Sequence, residues 1–398
     1  MNVIPYGRQS ISQDDIDAVV SVLRSEFLTQ GPLVPAFEKA VTSYCGATFG
    51  LAVNSATSAL HIACLSLGVG KGDLVWTTPI TFVASANCAL YCGAEVDFVD
   101  IDSDTYNMSV ECLADKLVEA KKIGRLPKVV IPVHLCGHSC DMAEIFRLSQ
   151  EYGFKIIEDA SHAIGGKYGK KKDGQSGGNN LEPIGGCRYS DITVFSFHPV
   201  KIITSGEGGM ITTNRHELIE HMRLLRSHGI SSDPINMDSR PLDEIWNYQQ
   251  IELGFNFRMT DIQAALGLSQ IKKLDEFVAE RHSIAARYNN MLAELPLNVP
   301  FQSSECYSSF HLYVIRFAEN KCALSQKQAF ELLRKNGIGV NLHYIPVYLQ
   351  PYYQRLGFVR GYCPEAEKYF HEAITLPIYP GLTLKQQDKV VEVLNSFL

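Results

Sequence analysis

"TVFSFHPVKIITSGEGGMITTN", residues 193–214, sets one lysine, Lys201, between two runs of strand-forming residues. The run 192–197 is β-branched and aromatic, the pattern of a strand buried on both faces, and 210–213 repeats it. A glycine-rich turn, Gly206-Glu207-Gly208-Gly209, follows the lysine. Most loop lysines are solvated, because burying an unpaired ammonium is costly. Ser196 and His198 crowd this one, so the rest of the chain decides whether the amine has a task.

Working outward, short apolar runs alternate with helical stretches as far as about residue 230. Strands are expected at 49–53, 74–77, 95–99, 128–133, 155–158, 192–197 and 209–213. Helices are expected at 58–67, 82–91 and 142–152, with two more upstream at 12–25 and after the Gly-Pro loop near residue 31. This alternation predicts an α/β fold with a mostly parallel, doubly wound sheet. Beyond residue 260 the stretch "MTDIQAALGLSQIKKLDEFVAERHSIAARYNNMLAEL" reads as a long amphipathic helix. It bridges to a smaller C-terminal α+β domain with a strand at 311–317, a helix at 325–336, a strand at 339–342 and a last helix from 384. The division expected is 1–260 for the N-terminal segment and large domain, and 261–398 for the bridging helix and small domain. A Gly-, Asn- and Lys-rich insertion, 169–186, reads as a flexible surface loop.

Composition narrows the class. The chain has 398 residues, 46% of them hydrophobic, enough for a large core. With 36 basic against 43 acidic residues the net charge is -7, so no basic field recruits nucleic acid and no polybasic run marks a membrane surface. No run approaches the roughly 20 apolar residues of a membrane span, and the first ten residues lack the apolar core of a signal peptide. A cytoplasmic location is the expectation, and the 11 cysteines, an odd number in apolar contexts, fit reduced thiols. His134, Cys136, His138 and Cys140 match no usual zinc spacing, so no metal is expected.

Open α/β sheets bind ligands beyond the carboxyl ends of their strands. After 49–53 comes "NSATSAL", which is a good helix N-cap by itself and also a phosphate seat. After 155–158 comes Asp159, a carboxylate that needs a partner at a buried strand end, followed by His162. After 74–77 comes Phe82, suited to core packing or to lying flat on an aromatic ring. A phosphate seat, an acid for a ring nitrogen, an aromatic to stack and a lysine to condense with an aldehyde are together what pyridoxal 5'-phosphate (PLP) requires.

The stretches "NSATSAL", "TPITFVASAN", "EDASHAIGG", "FSFHPVKIITSGEGGM", "LGFNFRMTDIQAALGL" and "LHYIPVY" carry a resemblance over nearly the whole chain. The chain resembles the DegT/DnrJ/EryC1/StrS sugar aminotransferases, a family of fold type I PLP-dependent transferases like aspartate aminotransferase. The resemblance implies that Lys201 condenses with the cofactor aldehyde and that Asp159 pairs with its ring nitrogen. It further implies that Phe82 and His162 flank the ring and that Ser196, Thr57 and Ser58 hold the phosphate. Asn256 would reach the phosphate of the neighbouring subunit of a homodimer with shared active sites. Tyr6, Gly7, Arg8, Gln9, Leu28, Thr29, Gln30, Gly31, His343 and Tyr344 would line the nucleotide sugar. The implied reaction moves an amino group from L-glutamate to C4 of a UDP-4-keto-6-deoxy-N-acetylhexosamine, as in pseudaminic acid biosynthesis. Alternatives within reach are another 4-keto sugar, such as a UDP-4-keto-pentose or a UDP-bacillosamine type, a PLP-dependent sugar dehydratase, or a noncatalytic PLP-binding regulator. Arg226 and Arg258 are the candidates for the glutamate carboxylate, and Glu207 is either a catalytic group or a local cap.

Overall fold

A computed structural model of the chain describes residues 3–169, 181–238, 243–317 and 324–398. Seven strands form the central sheet: β1 (Phe49–Val53), β2 (Leu74–Thr77), β3 (Glu95–Phe98), β4 (Val129–Ile131), β5 (Lys155–Asp159), β6 (Ile192–Ser196) and β7 (Gly209–Thr213). Their order is β1-β7-β6-β5-β4-β2-β3, and β7 alone in this sheet runs antiparallel to its neighbours. β4 is shorter than the expected 128–133. Pro132 has no N–H to give to the ladder, and the strand stops before it.

Helices cover both faces of this sheet. Among the described residues nine α-helices precede the C-terminal unit: α1 (Gln13–Leu23), α2 (Leu33–Cys45), α3 (Ala56–Ser66), α4 (Ala84–Tyr91), α5 (Val110–Lys122), α6 (Met142–Tyr152), α7 (His216–Arg226), α8 (Asp261–Gln270) and α9 (Leu274–Met291). Alternate residues of β6 feed opposite cores, as the pleat demands. Val194 packs with α3, α4 and α7, whereas Phe195 packs with α2, α6 and α8. The long helix expected after residue 260 is interrupted by a tighter turn at Ile271–Lys273.

A third core holds the C-terminal elements, with Tyr313, Ile315, Leu333, Ile374 and Val390 among its residues. α9 serves two cores, giving Leu274, Phe277 and Val278 to one and Ile284, Ala285 and Tyr288 to the other. The strand expected at 339–342 is reduced to Ile338–Gly339, which pairs in parallel with Ile4–Pro5. Asn341 instead turns its side chain back to accept the Leu342 N–H at 2.9 Å. Of the insertion, residues 170–180 lie outside the described residues. Its far end, Glu182–Pro183, is a strand paired with Lys167–Tyr168. No described helix is long and apolar enough to cross a membrane. No described group of His, Cys, Asp and Glu is arranged to hold a metal ion; His134 is taken up by Glu158 at 2.9 Å.

Candidate active site

Register across the sheet gathers three strand ends. Gly209 lies opposite both Val53, the end of β1, and Ser196, the end of β6. Asp159, the end of β5, lies beside Val194. The three parallel strands therefore release their chains on one side, where this architecture binds ligands.

From β1 the chain enters α3 through a built N-terminus. Ser55 Oγ accepts the Ser58 N–H at 3.1 Å, and Ser58 Oγ donates to Asn54 Oδ1 at 2.7 Å. Ser58 thus spends its amide and its hydroxyl proton on closing the cap. The amides of Ala56 and Thr57 keep no partner among the described residues, which leaves an anion seat at the positive helix end. A Cβ on Gly209 would stand 2.6 Å from the Ala56 nitrogen, so glycine is required where β7 passes this turn.

Asp159 is buried, with Oδ2 accepting from Ser85 Oγ at 2.6 Å and Oδ1 accepting the Ser161 N–H at 3.1 Å. Lys201 sits on a hooked loop. Phe197 N–H donates to Gly208 O at 2.9 Å, Ser205 N–H returns to Phe197 O at 3.0 Å, and buried Ile202 and Ile203 anchor the far side. Loss of water pulls the Lys201 ammonium down to about 8, while the charge of Asp159 works in the opposite direction. Lysine and aspartate therefore sense each other across the site.

Three imidazoles surround this pair. His162 lies between His311, whose ring centroid is 4.4 Å away, and Tyr344, nearly parallel at 6.1 Å. Tyr344 Oη and His162 Nε2 are 3.1 Å apart. Burial first, and then the Lys201 charge, holds His162 well below the usual histidine range and brings His343 down to about 3. Burial also depresses His311. All three are neutral rings. His162 Nδ1 and His311 Nδ1 are buried without a hydrogen-bond partner.

The remaining expected residues divide. Tyr6 faces His343 at 5.1 Å, and Gly7 packs against Val200, next to the lysine. Arg8 and Gln9 are exposed. Phe82 is 59% exposed, its ring 6.4 Å from that of Tyr344. Leu28, Thr29, Gln30 and Gly31 are fastened to the start of α8: Leu28 O accepts the Asp261 N–H, Thr29 bridges Thr260, and Asp261 Oδ2 takes the Gly31 N–H at 2.8 Å. Asn256 is exposed and runs beside the α3 cap of its own chain, its carbonyl accepting from Asn54 Nδ2 at 3.4 Å. Arg226 is committed to Glu38 and Ala52 O, which removes it as a carboxylate clamp. The Glu207 main-chain carbonyl accepts from Ser205 Oγ and Gln263 Nε2, and its exposed carboxylate lies 3.9 Å from His198 Nε2. Sequence reading passed over Ser85, whose signal is a buried serine in an alanine-rich helix, and His311, at the mouth of the strand Tyr313–Phe317.

Two unpartnered amides, a buried acid, a desolvated amine and a buried unpartnered imidazole nitrogen match the phosphate, ring nitrogen, aldehyde and ring face of PLP. Fold and site define a fold type I PLP-dependent aminotransferase. The DegT/DnrJ/EryC1/StrS aminotransferase family matches residues 9–395, and the chain belongs to that family. A Campylobacter jejuni UDP-4-amino-4,6-dideoxy-N-acetyl-beta-L-altrosamine transaminase is 38% identical over 403 residues, covering 100% of this chain and 98% of that protein. Helicobacter pylori PseC, an aminotransferase of pseudaminic acid biosynthesis, superposes with a TM-score of 0.87 at 31% identity, covering 100% and 99% of the two chains. A Streptococcus pneumoniae sugar aminotransferase, solved in PLP and PMP forms, gives TM-scores of 0.85 and 0.86 at 28% and 29% identity, covering 99% of this chain and 98% and 97% of that one.

Proposed function

We propose that the protein transfers an amino group from L-glutamate to C4 of a UDP-4-keto-6-deoxy-N-acetylhexosamine, UDP-2-acetamido-2,6-dideoxy-β-L-arabino-hex-4-ulose. The product would be UDP-4-amino-4,6-dideoxy-N-acetyl-β-L-altrosamine, for pseudaminic acid biosynthesis. The desolvated Lys201 amine lying close enough to feel the charge of Asp159, the end of β5, is the observation that carries the chemistry, and the 38% identity to the C. jejuni transaminase supports the sugar. Retention of Lys201 favours transamination over the dehydratase reading, which the resemblance links to histidine at that position.

PLP supplies an electron sink for a carbanion and carries the amino group between two half-reactions. Asp159 would hold the ring nitrogen protonated, with Ser85 and the Ser161 amide fixing the carboxylate. Thr57, Ser196 and the α3 amides would take the phosphate, joined by Ser58 and by the partner's Asn256. Phe82 and His162 would enclose the ring, and His162 adds no positive charge because it is neutral. Lys201 Nζ takes a proton from Cα of the amino donor and later delivers one at C4 of the acceptor, a task suited to an amine near neutrality. Tyr6 to Gln9, Leu28 to Gly31, His343 and Tyr344 would line the sugar. The working form is a cytoplasmic homodimer with shared sites; the free thiols suit a reducing compartment.

An amino-transfer assay with glutamate against a panel of UDP-4-keto sugars tests this. Turnover of the L-arabino hexulose above all others is expected. Preference for a UDP-4-keto-pentose would replace the sugar, and absence of any transfer by PLP-loaded protein would overturn the class.

A further inference from the structure

Tyr344 and His162 stand 182 residues apart in the chain and meet in the site. The segment that carries Tyr344 is fastened from both sides. Tyr369 Oη donates to His343 O at 2.7 Å, His343 Nδ1 and Thr375 Oγ1 are 2.8 Å apart, and the Val347 N–H donates to Pro79 O at 2.9 Å. So held, Tyr344 places its hydroxyl oxygen 3.1 Å from His162 Nε2. His162 is held in turn: its carbonyl accepts from Ser309 Oγ at 2.7 Å, and its ring packs at a tilt against that of His311, 4.4 Å away. His311 gives it no hydrogen bond, and His162 Nδ1 is buried without a partner.

A neutral imidazole carries one hydrogen, and the bond made by one ring nitrogen decides what the other presents. Two arrangements suit the 3.1 Å contact. If Nε2 donates, the Tyr344 hydroxyl hydrogen and the bare Nδ1 both lack a partner among the described residues. If Tyr344 donates, only the Nδ1–H lacks one. Unpaired polar groups are costly in an interior, so the second arrangement is favoured. Acidity points the same way, because the phenol is the stronger acid of the two neutral groups and the imidazole nitrogen the stronger base.

We propose that Tyr344 is a positioning residue of the cofactor site: its hydroxyl donates to His162 Nε2 and so fixes the tautomer in which His162 Nδ1 carries the hydrogen. This role rests on the PLP chemistry described above, and it gives Tyr344 a task besides lining the sugar. PLP brings oxygen acceptors on its ring and its phosphate. The fixed tautomer keeps a buried donor ready for such an acceptor, where the other tautomer would set lone pair against lone pair. The amino-donor half of the reaction, which involves no sugar, therefore also depends on Tyr344.

The tautomer is read by NMR on apoprotein whose histidines carry the NMR-active nitrogen isotope, since each ring nitrogen then reports whether it holds a hydrogen. The His162 signals are those missing from His162→Gln. The native protein should show His162 with its hydrogen on Nδ1 and a bare Nε2, and Tyr344→Phe should shift hydrogen onto Nε2. Hydrogen on Nε2 in the native protein overturns the proposal. In spectral titration of apoprotein, Tyr344→Phe should bind PLP about fivefold more weakly, and once loaded it should run the glutamate half-reaction more slowly with no sugar present. A loss confined to the KM for the sugar would make Tyr344 a wall of the sugar site alone and overturn the role. Should Tyr344→Phe not fold, the nitrogen spectrum of the native chain decides. Failure of the native chain to take up PLP would refute the cofactor reading, while the same spectrum, read without cofactor, still decides the tautomer.

Discussion

Ser85 Oγ donates to Asp159 Oδ2 at 2.6 Å, so the first turn of α4 holds the acid at the end of β5. A hydrogen bond to a charged group is worth about 1.5–3 kcal/mol. Ser85→Ala should therefore weaken cofactor affinity by about tenfold or more, read by spectral titration of the apoenzyme with PLP. Asp159→Asn should cost far more in kcat, because the ring nitrogen loses its counter-charge. Equal, small effects of the two changes would remove Ser85 as a positioning residue.

Because desolvation brings Lys201 down to about 8, the neutral, reactive amine should appear as pH rises through that value rather than near the ordinary lysine value of about 10.4. The rate of PLP uptake by apoenzyme should climb with that midpoint. The Asp159 charge favours the ammonium, so Asp159→Asn should move the midpoint lower. A midpoint above 10 in the native chain would contradict the burial argument.

Gly209→Ala places a methyl 2.6 Å from the Ala56 nitrogen and from Ser55 C. Overpacking of this kind costs about 1–3 kcal/mol. The substitution should lower both the melting temperature and PLP affinity, although residue 209 offers no group to the cofactor. Unchanged affinity would mean that the α3 amides do not seat the phosphate.

Arg281 is fully buried and donates through one nitrogen to Phe310 O, His311 O and Ile378 O at 3.0–3.1 Å. Arg281→Met leaves three carbonyls short of a donor, at about 1–3 kcal/mol for each buried group left unsatisfied. A loss of about 3 kcal/mol or more in denaturant unfolding is expected. A loss under 1 kcal/mol would show that the carbonyls find other partners.

Asn256 lies exposed beside the α3 cap. If it serves the partner's phosphate, mixing inactive Asn256→Ala with inactive Lys201→Ala should recover part of the activity through hybrid dimers. No recovery despite demonstrated subunit exchange would place each site within one chain.

The sheet was legible because β5, β6 and β7 are short β-branched runs buried on both faces, and the reading of Asp159 and Lys201 started from the end of β5 and the loop that follows β6. What escaped depends on tertiary contacts. Ser85 acquires its meaning from Asp159 in a distant strand, and His311 from packing at a tilt against His162. The shortening of 339–342 follows from Asn341 bonding its own neighbour and pairing with Thr375, neither of which an apolar pattern records. A cap and a phosphate seat share one sequence signature, so the residues of this turn read alike in the sequence. Geometry alone separates the cap bonds of Ser58 from the open amide of Thr57.

Because α9 gives one stretch of side chains to the large core and the next to the C-terminal core, it acts as a single beam running through two rooms. Neither room can be emptied without slackening the beam that supports the other, so heat should dismantle both in one cooperative event.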